Sequence, residues 1–156
     1  MSVFHGRDLF AYVAAKLASG KIDFEGVGPE YSVDDVVLLD YKYLKAEVLD
    51  DDIEGIVSNV SDPFGSIVFN VLTDDFVKVG YSENEIVHVV LENNEGIFFE
   101  QDVPYAKSFG FVAVGEPVVF NSSSNYISIG LNQGSFKAKY GVKAGLEWKV
   151  RINKVK

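Results

Sequence analysis

Short runs of β-branched and aromatic residues, separated by turn residues, fill most of the sequence after position 35 and constrain the fold more than any other feature. Ten such runs lie at 36–39, 44–49, 55–60, 67–72, 76–79, 86–91, 96–100, 117–120, 126–131 and 146–152. This spacing is typical of an antiparallel barrel or sandwich. A short helix is predicted over 135–140, ended by Gly141. We therefore expect a mainly β (α+β) protein, with a short N-terminal helix followed by an antiparallel β-barrel-like or sandwich domain.

The first thirty residues follow a different pattern. Apolar residues recur at three-and-four spacing from Asp8 to Ser19, which predicts an amphipathic helix with one buried face that ends at Gly20. Glycine and proline then break regular structure over 24–31 and indicate a linker. We expect a helical segment at 1–30 and a β domain at 31–156.

Composition excludes several classes of function. The 156 residues suit one core, and with 47% hydrophobic and 24% charged residues the chain is expected to be soluble and globular, with no membrane span. A net charge of −9 argues against nucleic acid as a partner. The absence of Cys excludes disulfides and thiolate chemistry, and the two histidines, His5 and His88, have no metal-binding spacing, so no metal is expected. Without a secretion signature, a cytoplasmic location is expected.

Two charged stretches each allow two interpretations. The acidic cluster at 50–54 could bind a cation, but it lacks the ligand alternation and glycine of a calcium loop, so we favour a solvated hairpin tip. The tail from Lys137 onward has seven basic residues and one acid, Glu147. It could bind phosphate, but alternating Lys149 and Arg151 also protect an edge strand, which we favour.

A histidine lies just ahead of the predicted helix, in the segment from Phe4 to Phe10. His5 on such a glycine-containing turn could hold or move a proton near neutral pH. The alternative is that Asp8 caps the helix and His5 is a surface residue. These seven residues do not decide between the two interpretations.

The segment Ser61 to Ser66 combines a carboxylate, an aromatic ring, a glycine and a hydroxyl. A flat heterocycle could lie against Phe64 while Ser66 or backbone groups contact its edge. The alternative is an ordinary Asp-Pro-Phe-Gly turn.

Small polar residues at 121–125 connect two predicted strands, and Asn132, Gln133 and Gly134 follow the second one. Such a connection could present N–H groups and hydroxyls to an anion, in the manner of a nest. A flexible loop is the alternative.

Taken in order, these segments resemble the S-adenosylmethionine hydroxide adenosyltransferase family, the S-adenosylmethionine hydrolases related to the fluorinating and chlorinating enzymes. The resemblance rests on four ordered stretches: 5–10, 62–70, 105–117 with its Phe109-Gly110 and Gly115-Glu116-Pro117, and 123–134. It covers nearly the whole chain and matches the C-terminal portion of the family, with 1–30 resembling the end of the family's N-terminal domain.

The resemblance implies that water attacks the ribose C5′ of S-adenosylmethionine and expels methionine, leaving adenosine, with no cofactor. It implies that His5 belongs to a water-positioning set whose Asp and Arg partners lie upstream in the family. It also implies that adenine lies against Phe64, with Phe109 on the other face, and that three further residues lie near the polar ends of the ligand: Asp62, Ser123 and Ser124.

The sequence departs from the family pattern in two ways. Ser66 and Phe69 stand where members usually have Asn and Thr, and a hydroxyl cannot replace the paired donor and acceptor of an amide. The family also builds its site between the N-terminal domain of one subunit and the C-terminal domain of another in a trimer. We therefore expect a homo-oligomer or a separate N-terminal chain as partner, and no activity from the isolated chain. A non-catalytic nucleoside-binding or assembly module is the alternative.

Overall fold

The structure is a computed structural model that describes residues 4–37 and 45–155. The chain divides into two compact units, Met1–Leu39 and Asp40–Lys156. The predicted runs 36–39 and 44–49 extend into residues outside the described ranges, so they are only partly visible.

The first unit is helical. A π-helical segment at His5–Phe10 continues into helix α1, Ala11–Ala18, and 3-10 turns follow at Glu25–Val27 and Val33–Asp35. The helix predicted over 8–19 is therefore confirmed, although it begins at the histidine and opens with π-helical hydrogen bonding. None of the residues described in this unit is buried, and on the predicted apolar face Val13 and Leu17 are only half-buried, so the fully buried face that was predicted is wrong for the described residues.

One antiparallel sheet dominates the second unit. The bounds of its strands are β1 Glu47–Val48, β2 Asp52–Ser61, β3 Ser66–Leu72, β4 Ile86–Asn93, β5 Gly96–Pro104, β6 Pro117–Asn121, β7 Tyr126–Leu131 and β8 Gly145–Lys154. The strands follow the spatial order β5-β4-β8-β2-β3-β7-β6, and β1 pairs with β2 outside this path. The antiparallel β fold predicted from the sequence is confirmed.

The two ends of the sheet path meet, which makes the sheet a nearly closed barrel. Tyr105, the residue after β5, forms an isolated parallel bridge with Val119 of β6. The N–H of Ala106 donates to the carbonyl of Val119 at 2.9 Å. Only these contacts join the ends of β5 and β6 among the described residues, so the two strands are not fully paired and the barrel is not fully closed.

Strand β8 lies in the interior of the sheet, between β4 and β2, so the predicted edge strand is wrong. Its alternating basic residues face acidic residues on the neighbouring strands. The Arg151 guanidinium lies 3.4 Å from Glu54 on β2 and 3.3 Å from Glu92 on β4. The alternation reflects cross-strand pairing of opposite charges rather than protection of an edge.

The predicted strand at 76–79 is also wrong, because helix α2 occupies Thr73–Lys78. Two aspartates lie in the first turn, where a carboxylate stabilises the positive end of a helix, and Lys78 pairs with Asp75 at 3.0 Å. The β-forming residues of this run serve instead to bury one ring, Phe76, in the core.

The hairpin tip predicted at 50–54 and the helix predicted at 135–140 are confirmed. The acidic cluster lies at the turn between the antiparallel strands β1 and β2, where the N–H of Leu49 donates to the carbonyl of Asp52. Helix α3, Phe136–Tyr140, is capped by the Ser135 hydroxyl, which accepts from the Ala138 N–H, and ends at Gly141 with a φ of 70°.

The hydrophobic core lies on the inner face of the sheet and contains an aromatic cluster. The ring of Phe76 stacks on Tyr81 with centroids 4.3 Å apart and meets the edge of Tyr105 at 4.8 Å. The Tyr81 hydroxyl lies 3.0 Å from two carbonyl oxygens, those of Asp51 and Ile152, which ties α2 to the sheet. Burial is the main reason that the pKa of Tyr81 lies above its ordinary value.

Candidate functional site

A cavity of about 280 Å³ lies on the sheet face opposite the core and brings together most of the residues proposed from the sequence. Along β3 and β7, Ile67 and Ile129 fill the core. Because successive side chains alternate between faces, Ser66 and Ser128 point to the other side. Five residues from the sequence-based proposal line this cavity: Phe64, Ser66, Phe109, Ser123 and Ser124.

The turn that carries Phe64 is held against helix α3. The N–H of Gly65 donates to the carbonyl of Ser61 at 2.7 Å, and the carbonyl of Gly65 accepts from the Lys137 N–H at 2.9 Å. Gly65 has a φ of 67°, and a Cβ there would lie 2.9 Å from the Cβ of Ser135. Glycine is therefore required for both the left-handed backbone and the close approach of the helix. The held turn leaves the Phe64 ring 69% exposed beside the cavity.

Asp62 belongs to the same turn but does not line the cavity. Its carboxylate lies 3.8 Å from the Lys137 ammonium, and both side chains are largely exposed. An exposed pair at this distance contributes little to stability. Asp62 therefore lies next to the other proposed residues in the turn, but its side chain does not line the cavity.

Phe109 closes another side of the cavity. It opens the 3-10 segment Phe109–Phe111, and its ring lies 4.7 Å from that of Phe120, centroid to centroid. Gly130 of β7 lies beneath it, and a Cβ at Gly130 would be only 2.7 Å from Phe109 Cε1. The segment is fixed by Asn132, whose amide nitrogen donates to the carbonyl of Val112 at 2.8 Å.

The serine-rich loop after β6 is a hydrogen-bonded turn rather than an unsupported connection. The Ser122 hydroxyl accepts from the Tyr126 N–H at 3.2 Å and lies 3.0 Å from the Ser124 hydroxyl. Asn125 has a φ of 65°, and its carbonyl accepts from the Thr73 N–H. These bonds place the hydroxyls of Ser123 and Ser124 at the cavity rim.

A tyrosine supports this loop from the core side. The Tyr105 hydroxyl donates to the Asn121 side-chain oxygen at 2.9 Å, and Asn121 lines the cavity. Burial raises the pKa of Tyr105, so this hydroxyl keeps its proton and remains a donor at neutral pH.

Ser128 and Phe120 line the cavity but do not belong to the sequence-based proposal. Ser128 is 1% exposed, and its hydroxyl has no hydrogen-bond partner among the described residues. A signal was present, since Ser128 alternates with the apolar Ile127 and Ile129 along β7. Which residues lie beside Ser128 depends on the pairing of Val68 with Ser128, which joins β3 to β7. The sequence of one segment does not predict that pairing.

The lining of this cavity combines aromatic rings with hydroxyl and amide groups and contains no charged side chain. Rings bind the faces of flat molecules, and uncharged polar groups satisfy donors and acceptors at their edges. The cavity therefore suits a flat, uncharged heterocycle better than a free anion.

A larger cavity, of about 410 Å³, contains none of the proposed residues. Its walls carry both charge signs, and Arg151 there is already paired with Glu54 and Glu92. Within residues 4–37 and 45–155, no group of three or more metal-ligating side chains is placed to hold an ion. The helices described for these residues are too short or too polar to cross a membrane.

His5 lies in the first unit, at the start of the π-helical segment, and is exposed. Across the described part of the chain, its side chain makes no hydrogen bond or ion pair. The N-cap residue is Phe4 rather than Asp8, although Asp8 supports the helix start by accepting from the Phe4 N–H at 3.0 Å. Hydrogen bonds from Arg7 and then from the Phe4 N–H hold the pKa of Asp8 below its usual value.

Fold and cavity together define a class of protein: a nearly closed antiparallel barrel with an uncharged, aromatic and hydroxyl-lined cavity on its outer face. Residues 59–149, which include most of the lining, match the family model of the SAM hydroxide adenosyltransferase C-terminal domain. The chain belongs to this family and represents its C-terminal portion.

Curated relatives with similar sequences are enzymes by name. A fluorinase of Nocardia brasiliensis is 27% identical over 150 residues, which cover 96% of this chain and 48% of the relative. An (R)-S-adenosyl-L-methionine hydrolase of Thermus thermophilus is 31% identical over 148 residues, or 93% of this chain and 48% of the relative. The chain thus spans about half the length of these relatives.

A solved structure supports the same relationship. A conserved protein from Thermotoga maritima superimposes with a TM-score of 0.71 at 31% identity, over 97% of this chain and 53% of that chain. This structure shares the fold of the chain as well as part of its sequence.

Proposed function

We propose that this chain is the adenosyl-binding C-terminal part of an S-adenosylmethionine hydrolase. The observation that carries the proposal is the convergence of Phe64, Ser66, Phe109, Ser123 and Ser124 on one uncharged cavity in a member of this family. The rings can hold the faces of adenine, and the hydroxyls and amides can contact the polar edges of the base and ribose.

In the proposed reaction, the oxygen of a water molecule bonds to the ribose C5′ while the bond from C5′ to sulfur breaks. The electron pair of that bond leaves with methionine, and the water releases a proton, so adenosine and methionine are the products. A sulfonium is already a good leaving group, and the protein's task is mainly to align the water and exclude bulk solvent. No cofactor is needed for this chemistry.

Catalysis requires more than the cavity provides, because none of its lining residues can position a water molecule through a charged group. We assign that task to His5 together with an Asp and an Arg from a region equivalent to the other half of the relatives. The partner we propose is either a separate N-terminal chain that supplies this region or further copies in a homotrimer. Asp62, Ser123 and Ser124 would then lie near the polar ends of the ligand.

The test of binding is adenosine titration by calorimetry, with wild-type chain and the variant Phe64→Ala. Loss of a stacking ring costs about 0.5–1.5 kcal/mol beyond the area it covers, and this part alone should lower affinity by about two- to thirteenfold. Phe111→Ala is the matched control, because Phe111 is 62% exposed and does not line the cavity. Equal losses in both variants, or none in either, would place the nucleoside elsewhere.

The test of catalysis is product analysis after the chain is mixed with the N-terminal half of a relative and S-adenosylmethionine. Adenosine and methionine should form in equal amounts, and added fluoride or chloride should not divert the product to a halogenated nucleoside. Absence of turnover across a range of substrate concentrations would remove the hydrolase proposal.

The alternative is a non-catalytic nucleoside-binding or assembly module. The observation in its favour is that none of the described residues that line the cavity has a titratable side chain. Such a module would bind adenosine and leave S-adenosylmethionine intact in the same mixture.

A further inference from the structure

The floor of the candidate cavity contains a buried hydroxyl whose hydrogen-bonding capacity is unused. Ser128 is 1% exposed and lines the cavity, yet its Oγ has no hydrogen-bond partner among the described residues. Buried hydroxyls are nearly always satisfied, because an unsatisfied one loses its bonds to water without replacement. Of the other two buried polar side chains of the sheet, Asn70 accepts from the Ile56 N–H at 2.8 Å, and Ser66 lies in the same cavity lining as Ser128.

The surroundings of Ser128 explain why the protein itself supplies no partner. Its direct neighbours across the sheet are Val68 on β3 and Phe120 on β6, and neither side chain can donate or accept a hydrogen bond. Gly130, two residues along the same face, adds no side chain. Of the side chains that β3 and β7 contribute to the cavity lining, those of Ser66 and Ser128 carry hydroxyls and that of Val68 is apolar.

We propose that Ser128 is a specificity-determining residue that hydrogen-bonds the edge of the bound nucleobase. This inference rests on the proposed function, since it assumes that a nucleoside occupies the cavity. A base whose face lies against an aromatic ring presents its edge to the cavity floor, where a hydroxyl can donate to a ring nitrogen or accept from an amino group.

Two aromatic rings, those of Phe109 and Phe120, lie between the ligand and the Ser128 hydroxyl. Phe120 is the cross-strand neighbour of Ser128, and Phe109 packs on Phe120. The Oγ atom is closed off from solvent beneath them. Contact with the base therefore requires one ring to turn aside, and Phe109, on a short 3-10 segment, is the one that is not part of the sheet. The same movement places a ring against the face of the base.

The experiment measures both affinity and thermal stability in the 156-residue chain and its variant Ser128→Ala. Adenosine affinity should fall by about fivefold, which corresponds to loss of one hydrogen bond. The melting temperature should stay equal or rise, because the alanine removes an unsatisfied buried group and breaks no bond within the protein. Ser58→Ala is the matched control: Ser58 lies on β2, is exposed, donates to the carbonyl of Val68 at 3.0 Å and does not line the cavity.

Analogues of adenosine identify the atom that Ser128 contacts. Purine riboside, 1-deazaadenosine, 3-deazaadenosine and 7-deazaadenosine each lack one polar position of the base edge. The analogue without the contacted position should bind wild type and Ser128→Ala equally well, whereas the other three should bind the variant more weakly. An equal loss with all four analogues would overturn the inference.

Failure of this inference and failure of the proposed function give different results. If wild type binds adenosine, Phe64→Ala weakens binding and Ser128→Ala does not, the proposed function stands and the role of Ser128 is wrong. A lower melting temperature for Ser128→Ala with unchanged affinity would make Ser128 a structural residue. If wild type binds no adenosine, the proposed function fails and the inference fails with it.

Discussion

Replacing Gly65 with alanine tests how firmly the turn that carries Phe64 is held. The backbone of Gly65 is left-handed, with a φ of 67°, and its Cα lies close to the start of helix α3. An added Cβ would lie 2.9 Å from the Cβ and 3.2 Å from the Cα of Ser135, and closer still to its hydroxyl. The hydroxyl can rotate away, but the Cβ and the backbone of the helix cap cannot move without displacing the turn.

The expected loss of stability has two parts. A non-glycine residue in the left-handed region costs about 1–2 kcal/mol. Overpacking against groups that cannot yield costs about 1–3 kcal/mol more. Gly65→Ala should therefore lower the free energy of unfolding by roughly 2–5 kcal/mol.

Gly141→Ala separates the two parts. Gly141 has nearly the same backbone angle, a φ of 70°, but no atom lies within 4 Å of its hypothetical Cβ. Both variants lose the same flexibility of the unfolded chain, so that contribution cancels between them. The control should lose only about 1–2 kcal/mol.

Urea denaturation measures both losses, with the fluorescence of the single tryptophan, Trp148, as the signal. This ring is 4% exposed and packs against Phe98, so unfolding changes its environment. If Gly65→Ala lost no more stability than Gly141→Ala, close packing of the turn on helix α3 could not be what fixes Phe64. Adenosine affinity should fall in Gly65→Ala and stay unchanged in Gly141→Ala.

Three further predictions concern the cavity, the core and the sheet. Gly130→Ala would place a Cβ 2.7 Å from the Phe109 ring and so displace that ring from the cavity. Calorimetry should show at least a tenfold (~1.4 kcal/mol) loss of adenosine affinity, and unchanged affinity would contradict the proposed cavity. Tyr81 has a raised pKa, so the free energy of unfolding should decline as the pH rises above about 10, where the Tyr81 hydroxyl ionises only in the unfolded chain. Tyr81→Phe should flatten this decline in urea titrations between about pH 9 and 11. Identical slopes of stability against pH for the two proteins would refute the assignment. Arg151→Met breaks two exposed ion pairs and should cost less than about 1 kcal/mol, a difference that disappears at about 1 M salt; a loss that persists at high salt would show that packing dominates.

Local patterns predicted the strands where burial on one face dominates their composition. The runs 67–72, 86–91 and 126–131 agree with β3, β4 and β7 to within two residues, because β-branched side chains alternate with residues of the other face. The run at 76–79 also has β-forming residues but lies at the end of helix α2, where Phe76 is buried in the core and Val79 packs against it. Composition alone does not distinguish this helix end from a strand.

Two features, the charge alternation in β8 and the assembly of the cavity, depend on which strands pair, and the sequence alone did not predict that pairing. The basic alternation in β8 has its explanation in Glu54 and Glu92, which lie far from Arg151 in sequence and meet it only in the folded sheet. The cavity shows the same dependence: Phe64 and Ser66 were identified from a local motif, but Ser128 joins them only through the register of β3 with β7. Family resemblance, rather than periodicity, linked Phe109 and the loop serines to the same site.

The alternation along β7 also determines which mutations can change this protein without unfolding it. Ile127 and Ile129 belong to the core, whereas Ser128 lines the cavity and Gly130 lies beneath the Phe109 ring. Under the proposed function, point mutations at Ser128 and Gly130 would alter ligand preference while the core keeps its packing. An insertion of one residue in the same strand would exchange the two sets of side chains and lose recognition and folding together. Diversification of this surface is thus expected to proceed by substitution within the strands, with changes of length confined to the loops between them.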